Sequence, residues 1–129
     1  MKSRLSLSIV IIIAMITFSN YAASAQDNRV IRIAKIKIDP AQIDNYKAAV
    51  KEQIEAAIKN EAGVLMLYAV YDKNDPVSIT VFEIYADTAA YQSHLQTPHF
   101  KKYNTSPAGM VKSLELVDVN AIAFAAKPQ

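Results

Sequence analysis

His94 and His99, the two histidines of this chain, and Glu83, a carboxylate in an apolar stretch, are the residues best suited by type and setting to chemistry. A pair of histidines suggests either a metal site or a proton acceptor. The five-residue spacing weighs against the metal, because on one continuous helix it turns the second ring by roughly 500°, about 140° net. Ligand pairs on a helix favour spacings of three or four. With no cysteine in the chain and no neighbouring aspartate to complete a ligand set, no metal is expected. Proton transfer fits better. His94 follows Tyr91 by one helical turn, and His99 lies at the start of a new turn, where free backbone amides disfavour the imidazolium. A neutral imidazole beside a cavity can accept a proton from a phenol. The plainer alternative, two ordinary hydrogen-bonded residues at a helix bend, remains open on the histidines alone.

Glu83 stands among Val81, Phe82, Ile84 and Tyr85. A carboxylate buried there must be hydrogen-bonded or held neutral by a raised pKa. It serves either as an acid or base in a cavity, or as a fixed partner for a tyrosine or histidine. Tyrosine and phenylalanine occur through every central segment, and there is no tryptophan. Most are expected in the core. A subset on an open sheet face would line a flat pocket for an aromatic ligand. Outside residues 1–25 the glycines are Gly63 and Gly109, so no glycine-rich phosphate loop exists, and no serine nucleophile elbow is present.

The elements that must position these residues follow from local pattern. Val30–Ile38 alternates and is rich in β-branched residues, as a strand. Asp39-Pro40 opens a helix, and Ile43, Tyr46, Ala49 or Val50, Gln53 or Ile54, and Ala57 or Ile58 recur at helical spacing until about Glu61, with Gly63 as the stop signal. Val64–Tyr71 and Val77–Tyr85 are two strands joined by the turn-forming run Asp72–Pro76. Asp87 caps a second helix reaching about Gln96. Thr97 then caps a restarted turn whose first residue is Pro98. Leu114–Phe124 reads as the last strand. The order β-α-β-β-α-β is the split βαβ arrangement of an α+β, ferredoxin-like domain. Met66, Tyr68 and Val70 oppose Leu65, Leu67 and Ala69 on one strand, so both sheet faces are expected to be buried. A homodimer closing two sheets into an α/β barrel would meet that demand.

The ends and the charge set the context. Lys2 and Arg4, the uncharged run Leu5–Phe18 and then Ala23-Ser24-Ala25 have the layout of a secretory signal cleaved after Ala25. The run is shorter than the ~20 residues of a membrane span. Residues 26–129 are thus expected as one periplasmic or secreted domain, without a membrane anchor after cleavage. Lys2 and Arg4 supply the whole excess of base over acid in a chain of 14 basic and 12 acidic residues, so the remainder is neutral. A neutral chain without a basic cluster gives no reason to expect nucleic acid.

The run Phe82-Glu83-Ile84-Tyr85-Ala86-Asp87, then Ala90, His94-Leu95-Gln96-Thr97-Pro98-His99-Phe100 and Tyr103, resembles the antibiotic biosynthesis monooxygenase family. Glu61-Ala62-Gly63 matches the family's E-x-G before the second strand. The resemblance spans about residues 30–125 and implies a ferredoxin-like subunit in a dimer. Its small quinol monooxygenases carry a very similar H-L-Q-T-P-H segment. For this chain the resemblance implies oxidation of a quinol-like or polyphenolic aromatic by molecular oxygen without a cofactor. His94 or His99 would be the base, Glu83 its orienter, and Tyr68, Tyr85, Phe100 and Tyr103 the substrate-binding walls. Heme-degrading relatives use a histidine and a tryptophan about where Asn104 and Tyr85 stand, which disfavours heme. Other relatives isomerise a phosphorylated sugar-like signal, a substrate poorly matched to an exported protein. A ligand-binding module without catalysis is the other alternative.

Overall fold

The structure is a computed structural model and describes residues 27–105 and 109–129. The expected signal, 1–25, lies outside the described residues. Among them, no helix is long and apolar enough to cross a membrane. The elements are β1 (Val30–Ile38), a 3-10 turn (Pro40–Gln42), α1 (Ile43–Asn60), β2 (Val64–Tyr71), β3 (Ser78–Tyr85), α2 (Thr88–Leu95), α3 (Pro98–Asn104) and β4 (Val111–Val119). The strands form one antiparallel sheet in the order β2-β3-β1-β4. This is the ferredoxin-like α+β arrangement expected from the element order.

The helix starts follow from their caps. Asp39 accepts a hydrogen bond from the Ala41 amide and Pro40 follows it, which begins the 3-10 turn that leads into α1. Asp87 accepts from the Ala90 amide at 2.7 Å to start α2. Thr97 accepts from the Phe100 amide at 3.3 Å and donates to the His94 carbonyl at 2.7 Å, so one hydroxyl ends α2 and starts α3. Gly63 acts differently from a left-handed stop. Its φ is not positive, and a Cβ there would meet the Ala90 Cβ at 2.5 Å. Glycine is needed because α2 crosses so close to the β2 entry.

Strand parity decides what faces the helices. Ala34, Ile36 and Ile38 of β1 and Ile79 and Val81 of β3 pack with Tyr46, Val50 and Met110 into the larger core cluster. Ala57, Val64, Leu67 and Tyr85 form a second cluster. Val64 and Leu67 both face the helices although three residues apart, because a bulge between Val64 and Met66 shifts the pairing with β3. The opposite face carries Met66, Tyr68 and Val70 beside Phe82 and Ile84. It is not buried throughout the chain itself: Tyr68 is 58% and Val70 59% exposed. β4 is shorter at its end than the sequence pattern suggested, since Val119 pairs with Ile31 next to the start of β1 and no strand partner remains beyond. The following segment brings Phe124 edge-on to Phe82, centroids 6.0 Å apart.

Candidate active site

A cavity of about 370 Å³ lies between the helices and the covered sheet face. That is within the range of small-molecule sites, roughly 300–1,000 Å³. Its floor is Ala34, Ile36, Leu67 and Val81, and Phe100 and Tyr103 of α3 close one side. The polar residues on the wall are Gln53, His94, Arg32, Glu83, Asn104 and the tyrosines Tyr46, Tyr85, Tyr91 and Tyr103. The pocket therefore lies on the helix-covered face, not on the open face proposed from the aromatic pattern.

His94 is 2% exposed, and both its ring nitrogens are engaged. Nδ1 lies 2.8 Å from Glu61 Oε2, and Nε2 lies 2.9 Å from Gln53 Nε2. One tautomer satisfies both contacts. Nδ1–H donates to the carboxylate, and the Nε2 lone pair accepts from the amide. Gln53 lines the cavity whereas Glu61 does not, so Nε2 is the edge turned toward any ligand. Tyr85 and Phe100 hold the ring, with centroids at 5.4 and 5.1 Å. His99 also donates to Glu61 Oε2, from Nε2 at 2.6 Å, and is 17% exposed at its side chain. The bend at Thr97-Pro98 thus brings both histidines to one carboxylate from the end of α1.

Glu61 is the functional candidate that reasoning from the residues missed. It is joined to histidines 33 and 38 positions away, and only the E-x-G match pointed to it. Neither a cysteine nor an aspartate but a glutamate stands beside both histidines. Of the two settings expected for Glu83, the structure shows contact with a tyrosine. Glu83 is not the hydrogen-bond partner of His94; it accepts from the Tyr85 hydroxyl at 3.3 Å and faces Arg32 across the β1–β3 pair. Burial raises the Glu83 pKa, while the Arg32 charge and the Tyr85 hydroxyl oppose that shift. Burial likewise raises the pKa of Tyr85, with the Glu83 charge adding to it. The Tyr85 hydroxyl is thus the donor in its contact with Glu83.

Arg32 lies over the Tyr91 ring at 4.7 Å and donates to its hydroxyl. Its Nε is 2.9 Å from Asp118 Oδ1, yet misaligned for a hydrogen bond, so the contact is an ion pair only. Tyr85, Phe100 and Tyr103 line the cavity. The Tyr103 hydroxyl is 2.7 Å from that of Tyr46, and burial raises the pKa of both phenols. Tyr68 does not line the cavity; it projects from the other sheet face, opposite Phe82 in the β2–β3 register. Asn104 and Tyr85, the positions that weighed against heme, both line the cavity.

The antibiotic biosynthesis monooxygenase family matches residues 29–106. A crystal structure from Bacteriodes thetaiotaomicron VPI-5482, of a protein provisionally named an antibiotic biosynthesis monooxygenase, is 46% identical. The match covers 79% of this chain and 97% of that one, with a TM-score of 0.75. A provisionally named monooxygenase from Lactobacillus acidophilus NCFM is 33% identical over 71% of this chain, with a TM-score of 0.68. This chain covers 44% of its length. A structure from Nitrosomonas europaea, 17% identical with a TM-score of 0.69 over 75% of this chain and 93% of that one, shares the fold. No curated protein matches the chain. The α+β fold and the matched span define a ferredoxin-like domain of one class. The chain belongs to the antibiotic biosynthesis monooxygenase family.

Proposed function

We propose that the protein is a monooxygenase that oxidises a quinol-like or polyphenolic aromatic with molecular oxygen and no bound cofactor. The observation that carries this reading is the Glu61–His94 pair on the wall of the aromatic-lined cavity, with the His94 Nε2 edge covered on the cavity side only by the Gln53 amide. A substrate hydroxyl that displaces the Gln53 amide would give its proton to Nε2. The imidazolium so formed is stabilised by Glu61 at Nδ1, as a carboxylate stabilises the histidine of a hydrolase triad. The quinolate then transfers one electron to oxygen, and the semiquinone and superoxide combine to form a carbon–oxygen bond. The peroxide takes back the proton from His94. Loss of water breaks the oxygen–oxygen bond and leaves a hydroxyquinone. Quinol plus O₂ thus gives hydroxyquinone plus H₂O, and the protein supplies the base and a dry, aromatic-walled site.

Two further expectations accompany this reading. The exposed Tyr68 and Val70 on an apolar sheet face favour a homodimer closed through that face. The hydrophobic leader favours export to the periplasm or beyond. Oxygen uptake with reduced naphthoquinones, above their spontaneous autoxidation, is the expected result. Tight quinol binding without oxygen uptake would instead make the protein a ligand-binding module, and substrate rearrangement without oxygen uptake would make it an isomerase.

A further inference from the structure

Glu61, His94 and His99 bring three ligand atoms within 4.8 Å of one another: a carboxylate oxygen and two imidazole nitrogens. They come from three elements, the end of α1, the last turn of α2 and the first turn of α3. Glu61 Oε2 is already 2.8 Å from His94 Nδ1 and 2.6 Å from His99 Nε2. Ligand atoms bound tetrahedrally to one Zn²⁺ at roughly 2.0–2.2 Å stand about 3.3–3.6 Å apart. Oxygen and each nitrogen would part by roughly 0.5–1 Å, a shift that side-chain rotation supplies. Two imidazoles and one carboxylate suit zinc, cobalt or nickel rather than magnesium or calcium, which prefer all-oxygen shells.

The surroundings also fit. The His94 nitrogen outside the trio is held by the Gln53 side chain, the kind of outer partner that fixes a ligating imidazole. His94 is buried, while Glu61 and His99 are 12% and 17% exposed and offer an entry path. We propose that Glu61, His94 and His99 bind one divalent ion of the zinc type, behind the cavity rather than in it. A second consequence rests on the reading of His94 as base. Metal at Nδ1 requires the proton at Nε2, so a rotated Gln53 amide would accept from it and the cavity edge of His94 would become a donor. The ion would thus switch the base off.

The test is titration of the chelator-treated protein with zinc sulfate by calorimetry and with cobalt chloride by visible absorption. One ion per chain is expected, with affinity reduced roughly ten- to a hundredfold or more in Glu61→Gln and in His99→Gln. His99→Gln can still donate a hydrogen bond to Glu61 but lacks the ligating nitrogen, so it decides the matter if Glu61→Gln fails to fold. Absence of saturable binding to the wild type, or binding that His99→Gln retains unchanged, overturns the site. Zinc binding is measured without substrate, which separates the two readings. A protein that binds zinc but oxidises no quinol supports the site and contradicts the proposed activity. One that oxidises quinols but binds no zinc does the reverse.

Discussion

Glu61 Oε2 accepts a hydrogen bond at 2.8 Å from Nδ1 of His94, and that contact fixes which edge of a buried imidazole faces the cavity. Replacing Glu61 with glutamine keeps the size but removes the charge that stabilises an imidazolium. The expected outcome is a fall in kcat for quinol oxidation of roughly 10–100-fold, with KM changed much less. Glu61→Ala should in addition destabilise the fold by about 1–3 kcal/mol, because it leaves a buried N–H without a partner. Steady-state oxygen uptake and urea unfolding measure the two effects separately.

Glu83 gives the fold a pH dependence of definite sign. Its folded pKa is raised by burial above the ordinary 4.5, so the folded state holds this proton more tightly than the unfolded chain. The associated stability is fully present below the ordinary value and is lost as pH rises through the raised one. Glu83→Gln abolishes that dependence. Compared at increasing pH from about the ordinary glutamate range, the variant should gain stability relative to the wild type, and the difference should level off once Glu83 is ionised in both states. A difference that instead shrinks with rising pH would mean that the Arg32 charge outweighs burial.

A Cβ at Gly63 would stand 2.5 Å from the Ala90 Cβ, so glycine lets α2 cross there. Gly63→Ala should cost about 1–3 kcal/mol by overpacking and move α2, and with it His94. Ala90→Gly alone costs about 1 kcal/mol of helix propensity. Combined, the two should be less destabilising than their sum, and thermal unfolding of the double-mutant cycle detects the difference.

Thr97 joins α2 to α3 through one hydroxyl. Thr97→Ala should lower stability by about 0.5–2 kcal/mol, while Thr97→Ser should restore most of it. The loss also frees the Pro98 turn that carries His99. Urea unfolding of the two variants checks the stability difference.

Much of the fold is visible in local chemistry. β1 and β2 have the bounds their patterns suggest, and Asp39, Asp87 and Thr97 cap the helices they appear to cap. The site was harder to read because it depends on parity and on distant contacts. The bulge after Val64 reverses which β2 residues face the helices, and it sends Tyr68 to the open face while Leu67 reaches the cavity. Glu83 points to the cavity as its apolar setting suggested, but Arg32 and Tyr85 are its neighbours there. The Glu61 partnership closes only when α1 and the Thr97 bend pack together, and no spacing within α2 or α3 encodes it.

Deprotonation of a quinol by His94 for direct reaction with oxygen is tested most directly by ¹⁸O₂ turnover. With a reduced naphthoquinone and no added cofactor, the wild type should form a hydroxyquinone carrying one ¹⁸O atom. The other atom should appear in water, and His94→Ala should be slower by roughly 10²–10⁴-fold. No labelled product above autoxidation, or an undiminished rate in a folded His94→Ala variant, would contradict the account.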